Sequence, residues 1–187
     1  MKIAFIRHGY TSGNLEHRYI GKTDEQLSAY GIEELRKRIY PEADCVISSP
    51  MKRCIETSEI IYPCIEPIIA EDFRECDFGD FEGRNYSELN GDTNYQQWID
   101  SGGEMPFPHG ESMHNFRERC CNTFINEISR IPRNSSVSMI VHGGTVMSVL
   151  SRFCIPESSY FDYQIKNGCG FLTEWNGKKI KILSEII

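Results

Sequence analysis

Two short, largely apolar runs, KIAFI at 2–6 and SVSMIV at 136–141, each lead straight into a histidine followed by glycine: Arg7-His8-Gly9 after the first, His142-Gly143-Gly144 after the second. Such runs fit strands buried on both faces, the kind found in parallel sheets. DCVISS at 44–49 has the same character. Between the runs lie segments with helical periodicity. GIEELRKRI at 31–39 reads as a helix closed by Pro41. SPMKRCIETSEIIY at 49–62 starts like a helix, with Ser49 as N-cap and Pro50 at the first position. Its stripe runs Met51, Cys54, Ile55, Ser58, Ile61, and Arg53 lies off it, so packing does not call for Arg53. The clearest helix is at 111–131, where Met113, Phe116, Cys120, Phe124, Ile128 and Ile131 step by three and four. TVMSVLSRF at 145–153 reads as a helix after the second histidine.

The remaining segments complete the pattern. CIEPIIA at 64–70 is a strand candidate weakened by Pro67, and 71–110 is loop-rich with a helix around 92–100. CGFLTEW and KIKILSEI, parted by Asn176-Gly177, read as a hairpin. Strands alternating with helices predict an α/β fold on a mostly parallel central sheet. The 187 residues suit one domain, 1–187.

The totals exclude several functions. A net charge of −7 disfavours nucleic acid as a partner, since such binding depends on Lys and Arg neutralising phosphates. A local basic pocket for a small anion remains compatible with it. No run approaches the roughly 18 apolar residues of a membrane span, and MKIAFIRHG lacks the apolar core of a signal peptide. A cytoplasmic protein without a membrane partner is expected. The eight cysteines form no C-x-x-C pair, so free thiols are expected and a metal site is not. No Walker loop is present.

Ligands of open α/β sheets bind beyond the carboxyl ends of the strands. There the sequence sets Arg7, His8, His142 and, at the start of the helix after the 44–49 strand, Arg53. Two arginines and two histidines crowd positive charge, and arginine forks match phosphate oxygens. Glycines after each histidine let backbone N–H groups approach an anion. Beside Arg7, His8 is favoured as the neutral ring, whose lone pair can attack phosphorus. A leaving alkoxide needs a proton, and DFRECDFGDFEGR at 72–84 offers Glu75, Asp77, Asp80 and Glu82. Spacing alone does not choose among them.

With these motifs in order, the chain resembles the histidine phosphatase superfamily, in the branch with cofactor-dependent phosphoglycerate mutase, the fructose-2,6-bisphosphatase domain and α-ribazole phosphatase. RHGYTSGN is similar to that family's R-H-G-x-T-x-x-N, and SSPMKRCIETSEI to its S-S-P-x-x-R-x-x-x-T. YIGKTDEQLSAYG, RECDFGDFEG and VHGGT match its next segment, acid loop and second histidine motif, so the likeness spans nearly the whole chain. It implies a phosphoglycerate mutase-like three-layer sandwich with helices on both faces of the sheet. It implies that His8 takes the phosphoryl group and that Arg7, Asn14, Arg53 and His142 hold its oxygens. Glu75 would be the proton donor and then the base for water, with Gly21, Gly143 and Tyr86 at the substrate. Asn14 has a second reading as a turn or cap residue.

Departures shape the expected activity. Tyr10 and Gln26 differ from residues common in the family, at the pocket rim and in a turn. Tyr86 stands where the mutases carry a lysine, and the inserted segment GDTNYQQWIDSGGEMPFPHG holds no Lys or Arg. Without those cations a transferred intermediate is lost to water, which points to hydrolysis. The expectation is a metal-independent phosphomonoesterase with no cofactor, acting on a small phosphate ester such as α-ribazole 5'-phosphate. The alternatives are a cofactor-dependent phosphoglycerate mutase and a non-catalytic phospho-ligand binder. Tyr19, Tyr86, Tyr95, Trp98 and Phe107 are candidates to line the mouth, or else to anchor loops in the core. Oligomeric state is not readable.

Overall fold

The computed structural model describes residues 1–187. In chain order the elements are β1 (Lys2–Arg7), α1 (Ser12–Leu15), α2 (Ala29–Arg36), β2 (Cys45–Ser48), α3 (Lys52–Ile61), β3 (Ile68–Ile69), α4 (Thr93–Asp100), α5 (Met113–Ser129), β4 (Ser136–Val141), α6 (Gly143–Phe153), β5 (Gly170–Trp175) and β6 (Ile180–Ile186). One six-stranded sheet runs β3-β2-β4-β1-β5-β6. Its first four strands are parallel, and the terminal hairpin joins antiparallel to β1. The mostly parallel sheet read from the sequence is therefore present, with an antiparallel edge.

Alternation along the strands builds two cores. Ile3, Phe5, Ile47, Val137, Met139 and Val141 face Phe124 and Ile128 of α5 and Val146, Val149 and Leu150 of α6. Ala4, Ile6, Val46 and Ile140 face Cys54 of α3 and Tyr62 on the other side. Each Val, Leu, Ile, Phe or Met among them, when fully buried, contributes about 1.5–3 kcal/mol. The result is three layers, as the resemblance implied. A third cluster, including Cys76, Phe81, Phe107 and Phe116, lies under the 71–110 segment. All eight cysteines are free thiols, with Cys64 exposed.

The register decides where the chemistry sits. β1 and β4 pair in parallel with Arg7 opposite Val141. Both strands end level, so His8 and His142 leave the sheet side by side, and the His8 N–H donates to the Val141 carbonyl at 2.9 Å.

Several boundaries differ from the sequence reading. The helix expected from Ser49 begins at Lys52 with Met51 as N-cap, because the Ser49 hydroxyl is engaged with His142 at 2.8 Å. The 31–39 helix stops at Arg36. The 64–70 strand shrinks to Ile68–Ile69, an edge pair half exposed to solvent, since Pro67 cannot donate to a ladder. The hairpin turns over Asn176–Lys179, where the Asn176 side chain accepts from the Lys178 and Lys179 N–H groups and Gly177 takes φ +101°.

Candidate active site

Four basic side chains converge beyond the ends of β1, β2 and β4. The His8 and His142 rings lie 5.2 Å apart, centroid to centroid, in a T-shaped arrangement. His8 Nδ1 is 2.7 Å from the Gly9 carbonyl. A carbonyl only accepts, so Nδ1 carries the proton and the lone pair of the neutral ring is on Nε2. The backbone just after it is pinned: the Gly9 N–H donates to Thr57 Oγ1 at 3.0 Å, and Thr57 donates to the Arg53 carbonyl at 2.6 Å. Burial, then the Arg53 and Arg7 charges, hold the His8 pKa well below 6.5. The same causes, with His8 added, lower that of His142, which caps α6 from within the core.

Arg53 is wholly buried, contrary to its place off the apolar stripe of α3. Its guanidinium donates to the Thr23 carbonyl at 2.8 Å and the Gly21 carbonyl at 2.9 Å. Arg7 donates to the Ile165 carbonyl at 2.8 Å, and burial lowers its pKa. The Nε atoms of both arginines are buried without a partner. Gly143, the first residue of α6, sets its backbone beside Arg7: a Cβ there would lie 3.4 Å from Arg7 Nε.

Of the four acid-loop carboxyls, Glu75 is the one at the cluster. Its Oε1 accepts from the Cys76 N–H at 3.0 Å and its Oε2 is 4.0 Å from His142 Nδ1. Burial raises its pKa, against lowering by the Cys76 hydrogen bond and the two arginines. Asp77 pairs with Lys22 at 3.2 Å, Asp80 with His109 at 3.0 Å, and Glu82 accepts from loop amides.

Three residues expected at the substrate have other partners in the structure. Gly21 is committed on both sides, its N–H to Glu82 at 2.8 Å and its carbonyl to Arg53 at 2.9 Å, so it supports the site from behind. Tyr86 is 64% exposed on a turn held by Asn85 and by the Arg18–Glu88 pair, and lines no recess at the cluster. Asn14 serves in part as its second reading held: its Oδ1 accepts from Thr11 N–H at 3.2 Å in a capping box and from Asn167 at 2.9 Å.

Ser49, read from the sequence as a cap with a supporting role near Arg53 second, supports His142 Nε2 instead, and the positioning residues Asn167, on Asn14, and Arg119 lie outside the sequence reading. Arg119 donates to the carbonyls of Asp72, Arg74 and Glu75 and is held by Glu111 at 2.8 Å, which fixes the loop that bears Glu75. Thr57 was findable, since it lies one helical turn after Arg53. Nothing in the pattern of α5 marks Arg119.

Beside the cluster opens a cavity of about 300 Å³, lined by Arg7, Glu75, Gly143 and Gly144 at the chemistry and by Tyr19, Phe78, Trp98, Phe107, Phe116, Tyr160 and Phe161 around it. Tyr95 stacks behind Trp98 with an interplanar angle of 17°. No helix is long and apolar enough to cross a membrane.

Beyond the sheet end the fold thus gathers two imidazoles, two guanidiniums and a buried carboxyl in one place. The model of the histidine phosphatase superfamily (branch 1) matches residues 3–185, and the chain belongs to that superfamily. It is 27% identical over 186 residues to the uncharacterized phosphatase PhoE of Bacillus subtilis (strain 168), covering 96% of this chain and 91% of that one. It is 25% identical to the adenosylcobalamin/alpha-ribazole phosphatase of Escherichia coli (strain K12), covering 95% of this chain and 92% of that one. The crystal structure of an alpha-ribazole phosphatase from Shigella flexneri superposes with a TM-score of 0.87 at 24% identity, over 100% of this chain and 96% of that one. Phosphoglycerate mutases are among the matches as well.

Proposed function

We propose that the protein is a metal-independent phosphomonoesterase that works through a phosphohistidine on His8. The observation that carries the reading is the 2.7 Å contact from His8 Nδ1 to the Gly9 carbonyl, which leaves the Nε2 lone pair available on a ring held neutral by its neighbours. Nε2 attacks phosphorus in line; the N–P bond forms as the P–O bond to the leaving group breaks. The buried Glu75 carboxyl, held toward its protonated form, gives its proton to the departing oxygen. Glu75 then takes a proton from water, whose oxygen attacks the phosphohistidine. The N–P bond breaks and inorganic phosphate leaves, with both residues restored. Arg7, Arg53, His142 and the amide of Gly143 hold the phosphoryl oxygens, assisted by the side-chain amide of Asn14.

The aromatic cavity supports a phosphomonoester that carries a flat ring, such as α-ribazole 5'-phosphate. Its lining includes Arg7 at the reacting end and Arg117 farther out, stacked on Tyr160 at 4.2 Å and paired with Glu104 at 3.1 Å. That leaves little free positive charge to retain an anionic intermediate through two transfers, which favours hydrolysis over mutase chemistry. The purified protein should release phosphate from p-nitrophenyl phosphate in EDTA, and His8→Ala should abolish turnover. Full activity in that variant, or dependence on an added metal, would overturn the reading.

A further inference from the structure

We propose that Glu82 is a positioning residue that aims Arg53, by way of the 20–23 loop, and so sets the affinity of the site for a phosphoryl group. The inference rests on the phosphate-binding reading above and adds a residue outside the reacting cluster. The loop from Ile20 to Thr23 has no helix or strand to hold it. Its N–H groups at Gly21 and Thr23 both donate to Glu82 Oε1, at 2.8 and 2.9 Å. Its carbonyls at Gly21 and Thr23 both accept from the Arg53 guanidinium, at 2.9 and 2.8 Å. Amides thus run one way to a carboxylate and carbonyls the other way to a guanidinium, within three residues. The carbonyl hydrogen bonds that orient Arg53 depend on a loop whose own amide partner is Glu82.

Glu82 is itself fixed. Its backbone bridges to Tyr19, with the Gly83 N–H on the Tyr19 carbonyl at 2.8 Å and the Tyr19 N–H on the Arg84 carbonyl at 3.0 Å. Its second oxygen is buried without a hydrogen bond, packed against Gly21. Gly21 in turn lies so close to the acid loop that a Cβ would come within 1.9 Å of the Cys76 carbonyl. Glu82 therefore ties the loop that aims Arg53 to the loop that carries Glu75. Without its carboxylate the two amides lose their acceptor and the carbonyls are free to turn. A hydrogen bond from a charged donor such as the Arg53 guanidinium to its ligand is worth about 1.5–3 kcal/mol, or roughly 10–100-fold in affinity, when its aim is lost.

The test uses inorganic phosphate as ligand and the full chain, with Kd read by calorimetry and, for weak binding, by NMR titration. Glu82→Gln keeps one oxygen for both amides and should bind phosphate within about threefold of wild type, whereas Glu82→Leu should weaken it roughly 10–100-fold. Glu82→Asp, one methylene shorter and unable to reach both amides from the same backbone, should shift in the same direction and stands in if the leucine variant does not fold. In an Arg53→Met background the same Glu82 changes should have no further effect on Kd, a result that loss of general stability would not produce. Wild-type affinity in the leucine and aspartate variants, or an undiminished loss in the Arg53→Met background, overturns the inference alone. A wild-type protein that neither binds phosphate nor hydrolyses esters overturns the functional reading and this one with it.

Discussion

Glu75→Gln removes the titratable proton and changes little in shape. The amide oxygen can still accept the Cys76 N–H now bonded to Oε1 at 3.0 Å, the volume is unchanged, and Arg119 still grips the residue's own carbonyl at 3.1 Å. Substrate binding should therefore survive, and the loss should fall on proton transfer. A positioned general acid or base contributes about 10²–10⁴-fold, or about 3–5 kcal/mol of barrier. An alkyl phosphate should suffer that loss in the first transfer. p-Nitrophenyl phosphate should not, because its leaving group departs as a stable anion. Hydrolysis of the phosphohistidine, which needs Glu75 as base, should slow with either substrate. Stopped-flow measurement should then show a rapid burst of one nitrophenolate per chain, followed by steady turnover reduced by roughly 10²–10⁴-fold, with the phosphohistidine visible by phosphorus NMR. Equal slowing of burst and steady state, or unchanged turnover on both esters, would refute the assignment of Glu75.

Two further outcomes follow from the buried imidazoles. His8 and His142 have folded-state pKa values lowered below 6.5, so the unfolded chain takes up more protons and stability should fall as pH drops through and below that value. Two such protons give a slope of up to about 3 kcal/mol per pH unit, and Glu75, whose pKa burial raises in the fold, works the other way in the carboxylate range. Urea midpoints measured without phosphate from neutral pH to about pH 5 check this, and a flat profile would contradict neutral buried histidines. Ser49→Ala should cost about 1–3 kcal/mol, since His142 Nε2 loses its 2.8 Å partner. Equilibrium denaturation at neutral pH measures that cost, and wild-type stability would show the contact to be idle.

The strands were legible because burial on both faces leaves a plain mark: SVSMIV is β4 residue for residue, and KIAFI gains only Arg7. The convergence of His8 and His142 was legible too, as the two motifs end strands that the fold makes neighbours. What stayed hidden depends on long-range partners. Ser49 has every local feature of an N-cap, yet its hydroxyl goes to a histidine ninety-three positions away. Arg53 lies off the apolar stripe of its helix, and periodicity has no way to register a guanidinium buried among carbonyls. Tyr86 was placed by alignment to a motif, whereas its real environment is set by the Arg18–Glu88 clamp across sixty-five and more residues of chain.

The partners of the two arginines explain how a chain of net charge −7 can favour an anion at this point. Buried guanidiniums are usually paired with carboxylates, which satisfy them and cancel their charge. Here the hydrogen-bond partners are the carbonyls of Gly21, Thr23 and Ile165, which satisfy donors and leave the charge in place. The carboxyl nearest the cluster is Glu75, and burial holds it toward its neutral form. Both imidazoles are likewise kept neutral, so they add lone pairs and dipoles without adding charge. The low dielectric that makes two such cations costly also makes their field strong at short range. A phosphoryl dianion offsets that cost as it binds, and a neutral ester, lacking the charge, does not. The pull of this site on an anion and the expense of burying the Arg7 and Arg53 guanidiniums are in this sense one property of the fold.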